Sequence, residues 1–158
     1  MRIEVVAGTG KGPTELAAFD VAEINMGVMN VNLIRLSSFI PPGSEVVAVD
    51  KSTITPNWGD KLYCAWAERR ASEPGTEAWA GVGWIILDGG KGVFCEHEEN
   101  SRDAVERKIK SSLMSFMKAR GMEPDESLIQ QKIVGITCEG QSVCALAMAV
   151  YKTEGWSD

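Results

Sequence analysis

Two adjacent serines, Ser37 and Ser38, sit in the run LIRLSSFIPP at residues 33–42. As a nucleophile served by a base, either hydroxyl would want a histidine. The chain has one, His97 in CEHEEN, and no G-x-S-x-G surrounds either serine. A cysteine nucleophile would have to share that histidine, and Cys95 stands two residues before it with nothing in the spacing to make a productive pair. Ser-Ser offers another chemistry that needs no such base. Attack of the Ser38 hydroxyl on the Ser37 carbonyl converts the peptide to an ester by an N-to-O acyl shift. Elimination then gives dehydroalanine, and hydrolysis leaves a new chain that begins with a pyruvoyl group. Such a ketone can form a Schiff base with an amine substrate and act as the electron sink that pyridoxal phosphate otherwise supplies. The plainer reading is a polar turn, because serine is common at strand ends for local hydrogen bonding. Pro41 and Pro42 fix φ and push Ile40 towards extended geometry, so the Ser37–Ser38 peptide is expected to lie between two stiff arms, a strand before it and the prolines after it.

Other polar residues have two readings each. Asp20 shares a helical stripe with Leu16 and Ile24 at i, i+4 and i+8, which puts a carboxylate among apolar neighbours; a solvated helix face is the alternative. Glu96 falls on the same strand face as Phe94 if alternation holds. Glu98 and Glu99 read as solvated charges, and His97 as structural or surface. Asn32, at the entry to the second strand, reads as a turn residue. The four cysteines at 64, 95, 138 and 144 form no CxxC pair, so no metal site is expected and the thiols read as small buried hydrophobes. GTGKGPT resembles a phosphate loop only in part: Gly12 follows Lys11 where a hydroxyl residue is needed, and the third glycine comes one residue early for a dinucleotide fingerprint.

The elements that must position these residues follow from periodicity. RIEVVA predicts a strand, GTGKGPT a loop, and residues 15 to 26 a helix. VNLIRLSS, GSEVVAVD, KLYCAWAE, AWAGVGWIIL and GVFCEHE predict strands separated by glycine, proline or charge. From Ser101, apolar residues Val105, Ile109, Leu113 and Phe116 define a helix capped by Asn100 or Ser101 and closed by Gly121. QKIVGITCEG and SVCALAMAVYK predict a closing pair of strands joined by a turn at residues 139–141. Two helices and about seven grouped strands predict an α+β single domain over residues 1–158, sheet packed on sheet with helices outside.

At 158 residues the chain is long enough for one core, and its formal charge of -6 makes nucleic acid or an anionic membrane surface a poor partner. The apolar runs fall short of a membrane helix, and RIEVVAG lacks the character of a secretory signal, which predicts a cytoplasmic protein.

The run INMGVMNVNLIRLSSFIPPGSEVV, with VVAGTGKGPTELAAFD before it and GVFCEHEE after it, resembles the pyruvoyl-dependent arginine decarboxylase family, over nearly the whole chain. NVNLIRLSS-x-x-PP is the most specific part. The resemblance implies an αββα sandwich and self-cleavage between Ser37 and Ser38 into a β chain of residues 1–37 and an α chain of residues 38–158. It implies a pyruvoyl group made from Ser38 as the sole cofactor, with no metal and no pyridoxal phosphate. It implies that L-arginine is decarboxylated to agmatine, and that the chain assembles as trimers or paired trimers with active sites between subunits. Carried over to matching positions, Asn32 assists cleavage, Asp20 binds the substrate and Glu96 donates the proton. A decarboxylase for another amino acid, or a non-catalytic trimer of the same fold, are the alternatives.

Overall fold

The computed structural model describes residues 1–157; Asp158, the last residue of the predicted domain and of the tail TEGWSD, lies outside them. The fold is clearest from its last strand, β9 (Ser142–Glu154), whose side chains divide by parity. Val143, Ala145, Ala147, Ala149 and Tyr151 join the core between two sheets. Cys144, Leu146, Met148 and Val150 join a second core under a helix. A strand buried on both faces is apolar at nearly every position, which is why SVCALAMAVY alternates so little in hydropathy.

Around β9 stand β1 (Arg2–Gly12) and β5 (Lys61–Ala71), with β4 (Glu45–Ala48) and β2 (Asn32–Arg35) at the edges, in the order β2-β5-β9-β1-β4. The second sheet has the order β3-β7-β6-β8, from β3 (Phe39–Ile40), β7 (Gly92–Glu99), β6 (Glu77–Ile86) and β8 (Gln130–Thr137). Helix α1 (Glu15–Met26) buries Ala18, Ala22 and Met26 against the five-stranded sheet. Helix α2 (Arg102–Ala119) buries Val105, Ile109, Leu113 and Met117 against the four-stranded one. The layers are therefore α1, sheet, sheet, α2, the expected αββα sandwich. Thr14 and Ser101 cap the two helices by accepting main-chain N–H bonds from Ala17 and Ala104.

Two local expectations are corrected, and one open alternative is decided. GTGKG is not a loop but the second half of β1, paired with β9 through Gly12. Its glycines alternate because they face α1: a Cβ on Gly10 would lie 2.1 Å from the Ala18 carbonyl oxygen. The absence of side chains lets the helix lie directly on the strand. The last two strands do not pair with each other. β8 pairs with β6 in one sheet and β9 with β1 and β5 in the other, so the turn at residues 139–141 crosses between layers. Finally, the stripe of Leu16, Asp20 and Ile24 is the outer face of α1: Leu16 is 68% and Ile24 42% exposed, and Asp20 is exposed with them. The small residues Ala18 and Ala22, not the large ones, fit the close approach that the glycines allow.

Candidate active site

Strand β2 ends at Arg35 in the five-stranded sheet and β3 begins at Phe39 in the four-stranded one. Leu36, Ser37 and Ser38 are thus the bridge by which the chain crosses the sandwich. The bridge is held at both ends. The Leu36 N–H donates to the Cys64 carbonyl at 2.9 Å, and the Ser38 carbonyl accepts from the Phe94 N–H at 2.8 Å. One residue on, the Tyr151 hydroxyl donates to the Phe39 carbonyl at 2.8 Å. The stiff arm after the serines is therefore the β3–β7 ladder and Tyr151, ahead of the prolines.

Between those ties Ser38 has φ of +71°, one of two non-glycine residues with positive φ among those described. A side chain in this left-handed region costs of order 1–2 kcal/mol. The conformation brings the Ser38 hydroxyl onto Oε1 of Glu96, to which it donates a hydrogen bond. Glu96 is on β7 two residues past Phe94, on the same side-chain face as alternation predicted, so one short stretch of β7 holds both the carbonyl and the hydroxyl of Ser38. Burial pushes the Glu96 carboxyl above the usual carboxylate range, against the opposing pulls of the Ser38 hydrogen bond and the Arg35 charge.

Because β2 stops early and β3 is short, the edges of β5 and β7 stay uncovered beside the bridge. A cleft of about 400 Å3 opens there, lined by Arg35, Ser38, Trp66, Glu68, Glu96 and Glu98 among others. Arg35 lies with its guanidinium carbon 3.6 Å from the Trp66 ring centroid and donates to the Trp66 carbonyl at 2.9 Å. The Trp66 indole N–H donates to Glu68 at 3.2 Å, and Glu68 accepts from Arg70 at 2.7 Å. Sequence reasoning passed over Arg35 and Trp66. Arg35 lies inside the motif itself, but its neighbour is fixed only by the parallel register that sets Arg35 beside Cys64.

Asn32 and Asp20 are not brought to Ser38 within one protomer. The Asn32 side-chain amide donates to the Gly59 carbonyl at 2.7 Å, at the far end of β2. Asp20 lies on the outer face of α1, where burial, with Asp20 and Glu68 as neighbouring charges, pushes Glu23 up to about 7. Arg70, paired with Glu68 and lying over the Phe19 ring of α1, is the cation among these carboxyls. His97 faces the other way, its Nε2 2.7 Å from the Ser112 hydroxyl of α2. All four cysteines are free, and no cluster of three metal-ligating side chains occurs among the described residues. The tail packs: the Trp156 indole donates to the Gly59 carbonyl at 2.7 Å, the same oxygen that Asn32 uses.

A strained serine whose hydroxyl meets a half-buried carboxyl, with the one histidine on the opposite side of its strand, suits a pyruvoyl-class decarboxylase better than a hydrolase. The family model described as pyruvoyl-dependent arginine decarboxylase matches residues 2–155. A pyruvoyl-dependent arginine decarboxylase of Halobacterium salinarum is 32% identical over 151 residues, covering 95% of this chain and 93% of its own. The one from Methanocaldococcus jannaschii is 32% identical over 150 residues, covering 93% and 87%. That of Thermococcus sibiricus is 29% identical over 153 residues, covering 92% and 91%. The chain belongs to the pyruvoyl-dependent arginine decarboxylase family.

Proposed function

We propose that the chain cuts itself between Ser37 and Ser38, giving residues 1–37 and 38–158, and that the product converts L-arginine to agmatine and carbon dioxide. The observation that carries this reading is the geometry of Ser38: left-handed, with its hydroxyl on Glu96 and its carbonyl on the Phe94 N–H. In the cut, the Ser38 oxygen bonds to the Ser37 carbonyl carbon and the peptide C–N bond breaks, the hydroxyl proton passing to the departing nitrogen. Loss of the Ser38 Cα proton then expels Ser37 as a carboxylate, and water replaces the nitrogen as ammonia. Residue 38 no longer has an amide nitrogen, so its φ disappears and the left-handed strain is released.

The residues present fit a pyruvoyl group at position 38, because the carbonyl that would adjoin the ketone already has a main-chain donor and the side-chain position already meets a carboxyl. That group supplies an electrophilic ketone for the substrate amine and a sink for the electron pair left when carbon dioxide departs. The Phe94 N–H favours charge on the Ser38 carbonyl. Burial raises the Glu96 carboxyl and so favours the protonated form that holds the proton destined for the substrate Cα. Asp20 pairs with the substrate guanidinium through a two-pronged ion pair, and Asn32 steadies the oxyanion at Ser37 during cleavage.

Both of these last groups come from a neighbouring copy in a trimer or a pair of trimers, so that each site is shared. Exposed apolar side chains beside each half of the site support such an assembly: Leu16 and Ile24 flank Asp20, and Phe39, which follows Ser38, is 57% exposed. Cytoplasmic residence is supported by the four free thiols. No helix among the described residues is long and apolar enough to cross a membrane.

Mass spectrometry of the purified protein, with a carbonyl reagent and an agmatine assay, tests the reading. Two fragments are expected, the larger blocked at its amino terminus and carrying a carbonyl. Protein that consumes arginine with an ordinary serine still joined at position 38 would overturn it. A panel of amino acids beside arginine reads the side-chain preference.

A further inference from the structure

We propose that Arg35 is the receptor for the substrate's α-carboxylate. This rests on the decarboxylase reading above, and it follows from where charge lies in the cleft. The substrate amine must reach residue 38, so the carboxylate on the same carbon must also lie close to Ser38. Three carboxyl side chains, Glu68, Glu96 and Glu98, line that space. Against them stands one cation, Arg35. A substrate carboxylate entering the cleft therefore has Arg35 as its one cationic partner among the lining residues.

Arg35 is also built for the task. Its guanidinium lies on the Trp66 ring at 3.6 Å and is pinned by one hydrogen bond to the Trp66 carbonyl. Among the described residues it makes no ion pair, so most of its five N–H donors have no protein partner. The nearby cations are otherwise engaged: Arg70 pairs with Glu68 at 2.7 Å, and Arg69 approaches Glu98 at 4.0 Å. Trp66 is itself steadied through its indole bond to Glu68. A stacked guanidinium with free edges loses little freedom on binding a carboxylate.

The physics of the reaction sets the signature. The carboxylate charge exists in the bound substrate and vanishes as carbon dioxide leaves, so an ion pair to it favours the ground state over the transition state. Arg35 thus acts on KM and not on kcat. Arg35→Gln is expected to raise KM for L-arginine roughly 10- to 100-fold, the range of a lost charge-assisted pair, with kcat unchanged or higher. Agmatine has no carboxylate, and its Kd, measured by calorimetry on the same cleaved protein, should stay within about twofold. Arg35→Lys, which keeps the charge, and Trp66→Leu, which removes the platform, should each move the ratio of arginine KM to agmatine Kd the same way by a smaller factor. These two variants keep the test intact should Arg35→Gln fail to mature. An unchanged ratio, or arginine and agmatine weakened together, would overturn the assignment. If the unaltered protein fails to decarboxylate arginine at all, it is the parent reading that falls.

Discussion

Glu96 lies two residues along β7 from Phe94, and the two grip opposite ends of one residue: the Phe94 N–H holds the Ser38 carbonyl while the Glu96 carboxyl holds the Ser38 hydroxyl. A single strand thereby orients the Ser37–Ser38 peptide and would stand beside what a cut there leaves behind.

The carboxyl and the hydrogen-bond acceptor at position 96 can be separated. Glu96→Gln keeps an oxygen that can accept from Ser38, so cleavage should proceed, while the transferable proton is lost and kcat should fall about 100-fold or more. Fragment masses and agmatine formation measured on one preparation check this. Because burial raises the Glu96 carboxyl, the protonated form persists above the usual carboxyl range and is lost as pH rises through the folded value. The alkaline limb of kcat should therefore lie above that range and be absent from the residual activity of Glu96→Gln. A variant as active as the parent would remove the proton-donor role.

Sharing of the site between copies has its own test. Asn32 and Ser38 are six positions apart in the chain, and the Asn32 side chain is engaged at Gly59. Neither Asn32→Ala nor Ser38→Ala should cut itself efficiently when made alone. Co-expressed in mixed trimers, the Asn32→Ala chain should be cut, because a Ser38→Ala neighbour still offers its asparagine. Electrophoresis of the separately tagged chains reads the outcome, and an uncut Asn32→Ala chain in verified mixed trimers counts against sharing.

Asp20 is exposed on α1 and takes no part in holding the bridge. Asp20→Ala should therefore raise KM for arginine at least tenfold while leaving fragment formation unchanged. Equal arginine kinetics would withdraw the guanidinium assignment, and Glu98, exposed at the cleft, would be the next residue to replace.

Much of this was legible in the residues, and the failures share a cause. Helix α1 occupies the span expected for it, residues 15 to 26, because caps and breakers act locally. The pairing of strands does not. GTGKG read as a loop because glycine usually marks one; only the helix lying on those residues explains their alternation. The same holds for Arg35, whose indole platform belongs to β5, and for β8 and β9, adjacent in sequence yet assigned to different sheets. Asp20 was placed on the right stripe, but the buried face was the one with small side chains.

The glycine argument is itself testable. Gly10→Ala would set a Cβ 2.1 Å from the Ala18 oxygen and 2.5 Å from the Ala22 nitrogen, both main-chain atoms of α1. Moving the helix away should cost about 1–3 kcal/mol, seen as a fall in Tm of several degrees. Gly43→Ala, where an added Cβ meets nothing within 4 Å but φ is +75°, reports the conformational penalty alone and should cost less.

The first 37 residues contribute β1, which lies between β4 and β9, and β2, which lies along β5. Severing the bridge therefore frees neither piece; it deletes only the covalent tether. An uncut chain can regain its form by itself, whereas a chain cut there and denatured would recover only through the meeting of two separate polymers, a process that fails on dilution. Maturation would then work as a ratchet, leaving a catalyst that persists only while it is never fully unravelled.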